Sequence, residues 1–403
     1  MILICLILIA IFIISGYMAY NKAEKFQQRP KSRPCYYGIL SGLLSLITAI
    51  GMWLVLEILC YFYEGFRLHS TIAIIFFLVF GSLGGGISQS LVVPTFDART
   101  CFEKIIRIVL ASMAILSVLI TLSIIFTLLF ETIRFFKQIP VMDFLFGLHW
   151  NPQTSYTSDT QIIDHGLYGA IPLFTGTFLI MAIALLIAAP MGLLIAIYMR
   201  EYARSRTRYL IKPMIEILAG IPTIVYGFFA LVAVMPFLQS LGDWIGIDIS
   251  SQSALGVGIV MGLMIIPYIS SLSDDALSTV PQSLRDNSLA LGATTSETIK
   301  KVVIPAAAPG IITAILLGVS RAIGETMLVV MAAGLTPNLT LNPAEAVTTV
   351  TVQIVSLLTG DQEFNSPKTL SAFALGLTLF LLTLVLNIIS GRIIKRHRDK
   401  YDV

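Results

Sequence analysis

Apolar stretches of about 20 residues recur along this chain, and their length decides what it can fold into. A helix needs roughly 20 mostly apolar residues to cross a bilayer. Nine stretches qualify: roughly 2–20, 36–62, 70–93, 108–130, 170–198, 214–237, 253–273, 308–333 and 370–390. The third is the least apolar, because Gly81, Gly84, Gly85 and Gly86 lower its hydropathy while suiting close helix packing. Lysines and arginines follow the first stretch and none precedes it, so it reads as a retained span and not as a secretory leader. Charged residues make up only 12% of the chain and hydrophobic ones 56%, with a mean hydropathy of +0.88. A soluble chain carries about 25% charged residues, so lipid must be the solvent for much of this surface, and the expected fold is an all-α integral membrane protein.

The basic residues set the expected orientation. Alternate loops hold Lys22, Lys25, Arg29, Lys31 and Arg33; Arg99, Lys104 and Arg107; Arg200, Arg204, Arg206, Arg208 and Lys212; Arg285, Lys300 and Lys301; and Arg392, Lys395, Arg396, Arg398 and Lys400. The opposite loops hold only Arg67, Arg134, Lys137 and Lys368. The positive-inside rule puts the first set in the cytoplasm, with the N-terminus outside, the C-terminus inside and an odd number of spans. A net charge of only +3 argues against a nucleic-acid partner. Cys5, Cys35, Cys60 and Cys101 form no CxxC pair and no metal-ligand spacing, so neither a disulfide framework nor a metal or other cofactor is expected.

A short polar stretch near 95–105 suggests an organisation of residues 1–95 as an accessory membrane segment of three spans, 105–395 as a six-span core, and 396–403 as a cytoplasmic tail. Two long outer loops, 131–169 and 334–369, carry the turn pairs Asn151-Pro152, Pro337-Asn338 and Ser366-Pro367. The second also holds a helix-like stretch over 344–358. Loops this long are often functional. Pro222, Pro236 and Pro267 within spans permit bends where a path is lined.

The inner loop over 274–306 is the most structured. Thr279 to Gln282 fits a capping box with Pro281 in the first turn, and the helix it opens should run to Leu291, with Gly292 as its stop. Thr294 to Glu297 fits a second capping box, opening a short helix that Pro305 limits. Leu284 and Leu291, seven apart, share a face with Ser288, a partly apolar knob suited to a protein groove. The bland alternative is an ordinary loop with good caps.

The eighth stretch contains Ser320-Arg321-Ala322-Ile323-Gly324-Glu325-Thr326. A charge at the bilayer centre costs about 2.5–3.5 kcal/mol on insertion scales, so Arg321 and Glu325 must face a cavity or a partner. Four residues apart on a continuous helix, they would share a face and pair. Such a pair either holds helices together or lines a translocation path. The arginine fork matches tetrahedral oxyanions, and the carboxylate would keep it from trapping them.

Several of these segments resemble one family. Asp286-Asn287-Ser288, Gly292 and Val302-Val303-Ile304-Pro305 resemble the EAA loop of ABC importer permeases, with Asp for Glu, Asn-Ser for Ala-Ala, Val for Ile and Ile for Leu. Arg321 to Met327, Gly220-Ile221-Pro222-Thr223-Ile224-Val225-Tyr226-Gly227, and Pro190 to Ala203 resemble the PstC-type permeases of phosphate ABC transporters, over about 140–395. The resemblance implies a six-span permease core in a bacterial inner membrane and half of a two-permease pore, completed by a second permease subunit as a heterodimer. It further implies two ATP-binding subunits docked on the 281–305 loop, a periplasmic phosphate-binding protein outside, and phosphate as substrate. Ser320, Arg321, Glu325 and Thr326 would then line the path. Leu284, Asp286, Ser288, Leu291, Gly292, Glu297 and Pro305 would form the coupling loop, and Gly220, Pro222, Thr223, Tyr226 and Gly227 the family's span motif. The chain carries no GxxxxGK[ST] phosphate loop, so a transport subunit and not an enzyme is expected.

The residues alone leave alternatives open. Arg321 and Glu325 suit sulfate or molybdate as well as phosphate, and a channel or sensor without an ATPase would share the same spans. An intramembrane enzyme would want a nucleophile, dyad or metal set at depth. His69, His149, His165 and His397 instead fall in loops or tails, Glu57 is isolated and Glu216 lies near a span end.

Overall fold

The computed structural model describes residues 2–26, 30–62, 70–152, 167–359 and 366–401; His69 and His165 fall outside them, as does part of the first outer loop. Among the described residues the chain is helical, with two isolated antiparallel bridges, Trp150 to Tyr168 and Ser253 to Ala346. Among the same residues eight helices are long and apolar enough to cross a membrane, and a shorter apolar helix covers Ile75–Ser90. The chain divides into two compact units, Met1–Leu122 and Ser123–Val403.

In the first unit, α1 (Ile2–Glu24), α2 (Pro34–Phe62) and α3 (Ser70–Ser90) form a bundle. Its helices approach where side chains are smallest: a Cβ on Gly38 would lie 3.0 Å from the Gly16 carbonyl oxygen. A buried hydroxyl chain ties all three together, with Ser15 and Ser41 Oγ 2.7 Å apart and Ser41 and Ser88 Oγ 2.5 Å apart. These hydroxyls satisfy one another where lipid offers no partner. The helix α4 (Ala98–Phe136) begins in this unit and ends in the second.

The second unit continues with α5 (Val141–Phe146), α6 (Ile171–Ile197), α7 (Ser205–Ala219), α8 (Thr223–Phe229), α9 (Met235–Ile245) and α10 (Ala254–Ser278). Then come α11 (Gln282–Ala290), α12 (Thr295–Thr298), α13 (Ile304–Ile323), α14 (Met327–Ala332), α15 (Val350–Leu358) and α16 (Pro367–Tyr401). The buried centre is α10 against α6 and α13, around Ile180, Met261, Ile265 and Ile269. Glycine sets these distances too: a Cβ on Gly262 would lie 2.9 Å from the Ala184 carbonyl oxygen, and one on Gly318 3.0 Å from Ile269 Cδ1.

Several span boundaries differ from expectation. The stretch at 214–237 is two elements, because the helix breaks at Gly220-Ile221-Pro222. Residues 214–219 belong to the amphipathic α7, none of whose residues is buried, and the span is Thr223–Ile245. Among the described residues three π turns widen the spanning helices, at Tyr198–Tyr202, Ala230–Val234 and Ile299–Val303. The third bears on Pro305. Expected to limit the preceding helix, Pro305 instead sits in the first turn of α13, and helix continues from Thr295 to Ile323. Proline lacks the N–H that would bond back one turn, and the π turn immediately before it accommodates the loss.

Candidate functional site

The loop between α10 and α13 has the helix–bend–helix shape expected, with different ends. The first capping box is not formed: Thr279 Oγ1 donates to the Ala276 carbonyl at the close of α10, and Pro281 occupies the N-cap of α11 with no side-chain cap. α10 itself runs on to Ser278, so Asp274 is a buried helix residue and not a loop one. The helix α11 closes at Ala290, with Leu291 as C-cap and Gly292 at φ +86°, a left-handed conformation that suits glycine alone. The second capping box is present: Thr294 Oγ1 accepts from the Glu297 N–H at 3.3 Å, and Glu297 Oε2 accepts from the Thr294 N–H at 2.9 Å. Glu297 is exposed.

The exposed tip of this loop is apolar. Leu291 is 89% exposed, and Leu284 and Leu289 are exposed beside it. Ser288, one turn after Leu284, is only half-exposed. Its Oγ lies 2.9 Å from Thr298 Oγ1 and joins α11 to α12. Asp286 is exposed and accepts from Gln282 Nε2 at 3.1 Å.

Arg285 underlies the tip, a place that no motif in the sequence marks. Its side chain is buried and meets Glu201 Oε1 at 3.1 Å, while the same guanidinium donates to the Leu277 and Val280 carbonyls. Glu201 belongs to the π turn that closes α6. A second buried acid, Asp274 of α10, accepts from Arg208 at 2.9 Å and Lys212 at 3.3 Å, both on α7. Charge pairs therefore fasten α11 to the end of α6, and α7 to α10. Glu201 lies within the Pro190–Ala203 match and Arg285 beside Asp286, but nothing in either motif pairs the two.

The span motif builds the turn between α7 and α8. Gly220 is the C-cap of α7, Pro222 the N-cap of α8 and Thr223 its first residue. Tyr226 Oη donates back across the break to the Leu218 carbonyl at 2.8 Å. Gly227 is buried, and a Cβ there would lie 3.0 Å from the Leu328 carbonyl and 2.8 Å from Met331 Cβ, so α8 rides closely on α14.

That contact brings the motif to the segment bearing Arg321. α13 ends at Ile323 with Gly324 as its C-cap, and Glu325 and Thr326 are not helical. The expected pairing across one helix face is thereby corrected: among the described residues Arg321 and Glu325 form no salt bridge. The i, i+4 geometry requires a continuous helix, and the helix stops between the two. Glu325 is held by the far segment, where its carboxylate accepts from the Leu328 N–H at 3.4 Å and its carbonyl accepts from Thr351 Oγ1 at 2.9 Å. Arg321 is exposed, and its guanidinium carbon lies 5.6 Å from the centre of the Tyr268 ring on α10. Ser320 Oγ donates to Asn387 Oδ1 of α16 at 3.2 Å, and Thr326 Oγ1 donates to the Gly324 carbonyl at 3.2 Å. Ser320, Arg321, Glu325 and Thr326 thus gather around one interruption of the span.

On another face, the described ends of the two long loops meet in a cleft of about 950 Å³ lined by His149, Trp150, Pro337 and Asn338. Gln353 of α15 braces it, accepting from Trp150 Nε1 at 3.2 Å and donating to the Leu335 carbonyl at 2.6 Å.

Spanning helices, a structured loop with an apolar tip and an interrupted span with an arginine define a polytopic membrane transport subunit. Residues 188–399 match the family model of the binding-protein-dependent transport system inner membrane component, and the chain belongs to that family. It is similar to a probable ABC transporter permease protein, YqgH, of Bacillus subtilis, at 38% identity over 62% of this chain and 78% of that one. It is also similar to the phosphate transport system permease protein PstC of Haemophilus influenzae, at 30% identity over 74% of this chain and 95% of that one. Among solved structures it resembles a chain of a bacterial ABC transporter involved in the import of the acidic polysaccharide alginate, with a TM-score of 0.51, 16% identity, and coverage of 74% of this chain and 99% of that one. The protein is a multi-pass inner-membrane permease subunit of an ABC importer, with the all-α fold of that class.

Proposed function

We propose that this chain forms half of the translocation pore of an ATP-driven importer of inorganic phosphate. The observation that carries the substrate is the Ser320–Thr326 interruption, where Arg321 has no carboxylate partner among the described residues and lies in one segment with Ser320 and Thr326. A guanidinium offers a planar set of donors suited to a tetrahedral oxyanion, and the relatives named for phosphate transport favour phosphate among the oxyanions. The other half of the pore is a second permease subunit, and a periplasmic phosphate-binding protein delivers the anion. Two ATPase subunits hydrolyse ATP and grip the 281–305 loop by Leu284, Leu289 and Leu291, with Gly292 setting the bend and Asp286 at the rim. The pore half is the six-span core over about 105–395, preceded by three accessory spans within 1–95. The N-terminus is extracytoplasmic and the C-terminal tail, 396–403, is cytoplasmic.

The test is labelled-phosphate uptake in a bacterial host lacking its own high-affinity phosphate importer, complemented with the whole transporter. Uptake that depends on this chain, and that excess sulfate or molybdate leaves unchanged, supports the proposal. Uptake of sulfate or molybdate in place of phosphate would overturn the substrate. Uptake that persists when the ATPase is absent would point to a channel.

A further inference from the structure

Among the described residues Arg321 meets no carboxylate, and a group that faces it is an aromatic ring. We propose that Tyr268 is the positioning residue of the anion path: its ring holds the Arg321 guanidinium while leaving the guanidinium N–H groups to the anion. This rests on Arg321 lining that path, as proposed above.

The geometry supports the assignment in three ways. The guanidinium carbon stands 5.6 Å from the ring centre, inside the range in which a cation is attracted by a π face. That attraction draws the charge without supplying carboxylate oxygens to occupy its donors, as a Glu325 pair would have done. The distance between the two side chains is also fixed from behind. Ile269, next to Tyr268, packs on Gly318, one turn before Arg321, where a Cβ would come within 3.0 Å of its side chain. Pro267, immediately before Tyr268, removes one N–H from the helical ladder of α10 and lets the helix bend at this position. Arg321 is exposed and Tyr268 half-buried, so the ring is anchored while the cation faces outward from it.

A ring that merely fills space and a ring that attracts a cation differ in one respect. Fluorination withdraws π density while nearly preserving shape and apolarity. Phosphate uptake by the complete transporter is therefore measured at matched membrane abundance of this chain, with Arg321→Gln, with Tyr268→Phe, and with mono-, di- and trifluorinated phenylalanine incorporated at position 268. We expect Arg321→Gln to lose most uptake and Tyr268→Phe to keep at least half. Each added fluorine should then lower the maximal rate, to about tenfold below Tyr268→Phe for the trifluoro ring, the rate equivalent of ~1.4 kcal/mol. A flat fluorine series beside a defective Arg321→Gln would overturn the positioning role alone, as would loss of uptake in Tyr268→Phe. Normal uptake by Arg321→Gln would overturn the path and this inference with it.

Discussion

Arg285 and Glu201, 84 residues apart in sequence, meet at 3.1 Å beneath the loop that joins α10 to α13. Both side chains are almost wholly buried, at 8% and 11% exposure, and the arginine fork also satisfies two carbonyls at the end of α10. The apolar tip at Leu284 and Leu291 therefore stands on a joint with the π turn of α6, so under the proposed docking a push on the tip would be delivered to two spanning helices at once. Removing one member of a buried pair costs about 3–5 kcal/mol, because the other charge is left uncompensated. Glu201→Gln should therefore loosen α11 while the spans still insert. The expected result is ATP hydrolysis by the purified complex that no longer responds to loaded binding protein, with phosphate uptake reduced at least tenfold. Arg285→Lys should fail in the same way, since an ammonium cannot reach three acceptors in one plane. Coupled, stimulated hydrolysis in Glu201→Gln would show that the joint transmits nothing.

Gly292 gives a sharper test of the same loop. Its φ of +86° costs an L-residue about 1–2 kcal/mol, and proline cannot adopt it at all. Nothing lies within 4 Å of a Cβ at this position, so Gly292→Ala isolates the backbone cost from any clash. We expect Gly292→Ala to weaken co-purification of the ATPase modestly, and Gly292→Pro to abolish it, with equal membrane abundance in both. Retention of the ATPase by Gly292→Pro would remove this loop from the docking surface.

The same two regions show which parts of the fold were legible in the sequence. Gly292 and the Thr294–Glu297 box could be read because they are local: a positive φ and a reciprocal cap are each decided within a few residues. The presence of spans could be read because bilayer thickness fixes their length. The start of the span at Thr223 could not be placed by hydropathy, because Met214, Ile215, Ile217 and Leu218 of the amphipathic α7 run into it across the Gly220–Pro222 break. The Arg321–Glu325 spacing misled for a related reason. Four residues make a pair only where helix continues, and here the Thr351 hydroxyl and the Leu328 N–H hold Glu325 outside it. Arg285 with Glu201, and Arg321 with Tyr268, are long-range contacts that no local pattern encodes.

Glu345 anchors the described part of the second long loop and should give that loop a pH dependence. Hydrogen bonds from Thr340 first, then from Asn342 and Asn338, hold its carboxyl below the ordinary glutamate range. The backbone beside it is clamped onto the start of α10, since the Ala254 N–H donates to the Glu345 carbonyl at 2.9 Å and the Leu255 N–H to the Pro343 carbonyl at 2.8 Å. A carboxyl whose folded pKa is depressed stabilises the fold above its unfolded value, near 4.3, and that contribution is lost as pH falls through the folded value. The protection factor over 338–346, that is, exchange corrected for its intrinsic pH-dependent rate, should therefore be high and constant from pH 7 to pH 5 in the detergent-solubilised complex and fall below about pH 4. Glu345→Gln should exchange faster throughout and lose the acid step. An acid step unchanged in Glu345→Gln would assign it to another group.

The two charged residues of the interrupted span should act independently in the proposed path. Arg321 leans on Tyr268, whereas Glu325 is bonded to Leu328 and Thr351 beyond the break, so neither neutralises the other by direct contact. Arg321→Gln removes the donor fork from the anion path and leaves Glu325 facing an incoming anion. Uptake should fall at least tenfold while insertion improves, because an arginine at depth costs about 2.5–3.5 kcal/mol on insertion scales. In Glu325→Gln the amide oxygen can still accept from the Leu328 N–H, so the fold should hold. Any loss of transport there reports the missing negative charge, through slower release of the anion from Arg321. If the residues were a salt bridge joining helices, each single change would destabilise the protein and the double change would restore it. Separate partners predict the opposite: Arg321→Gln with Glu325→Gln should insert at least as well as wild type and transport no better than Arg321→Gln alone. The deciding measurement is phosphate uptake by the double variant at matched membrane abundance, and near-normal uptake there would reduce both residues to a structural role.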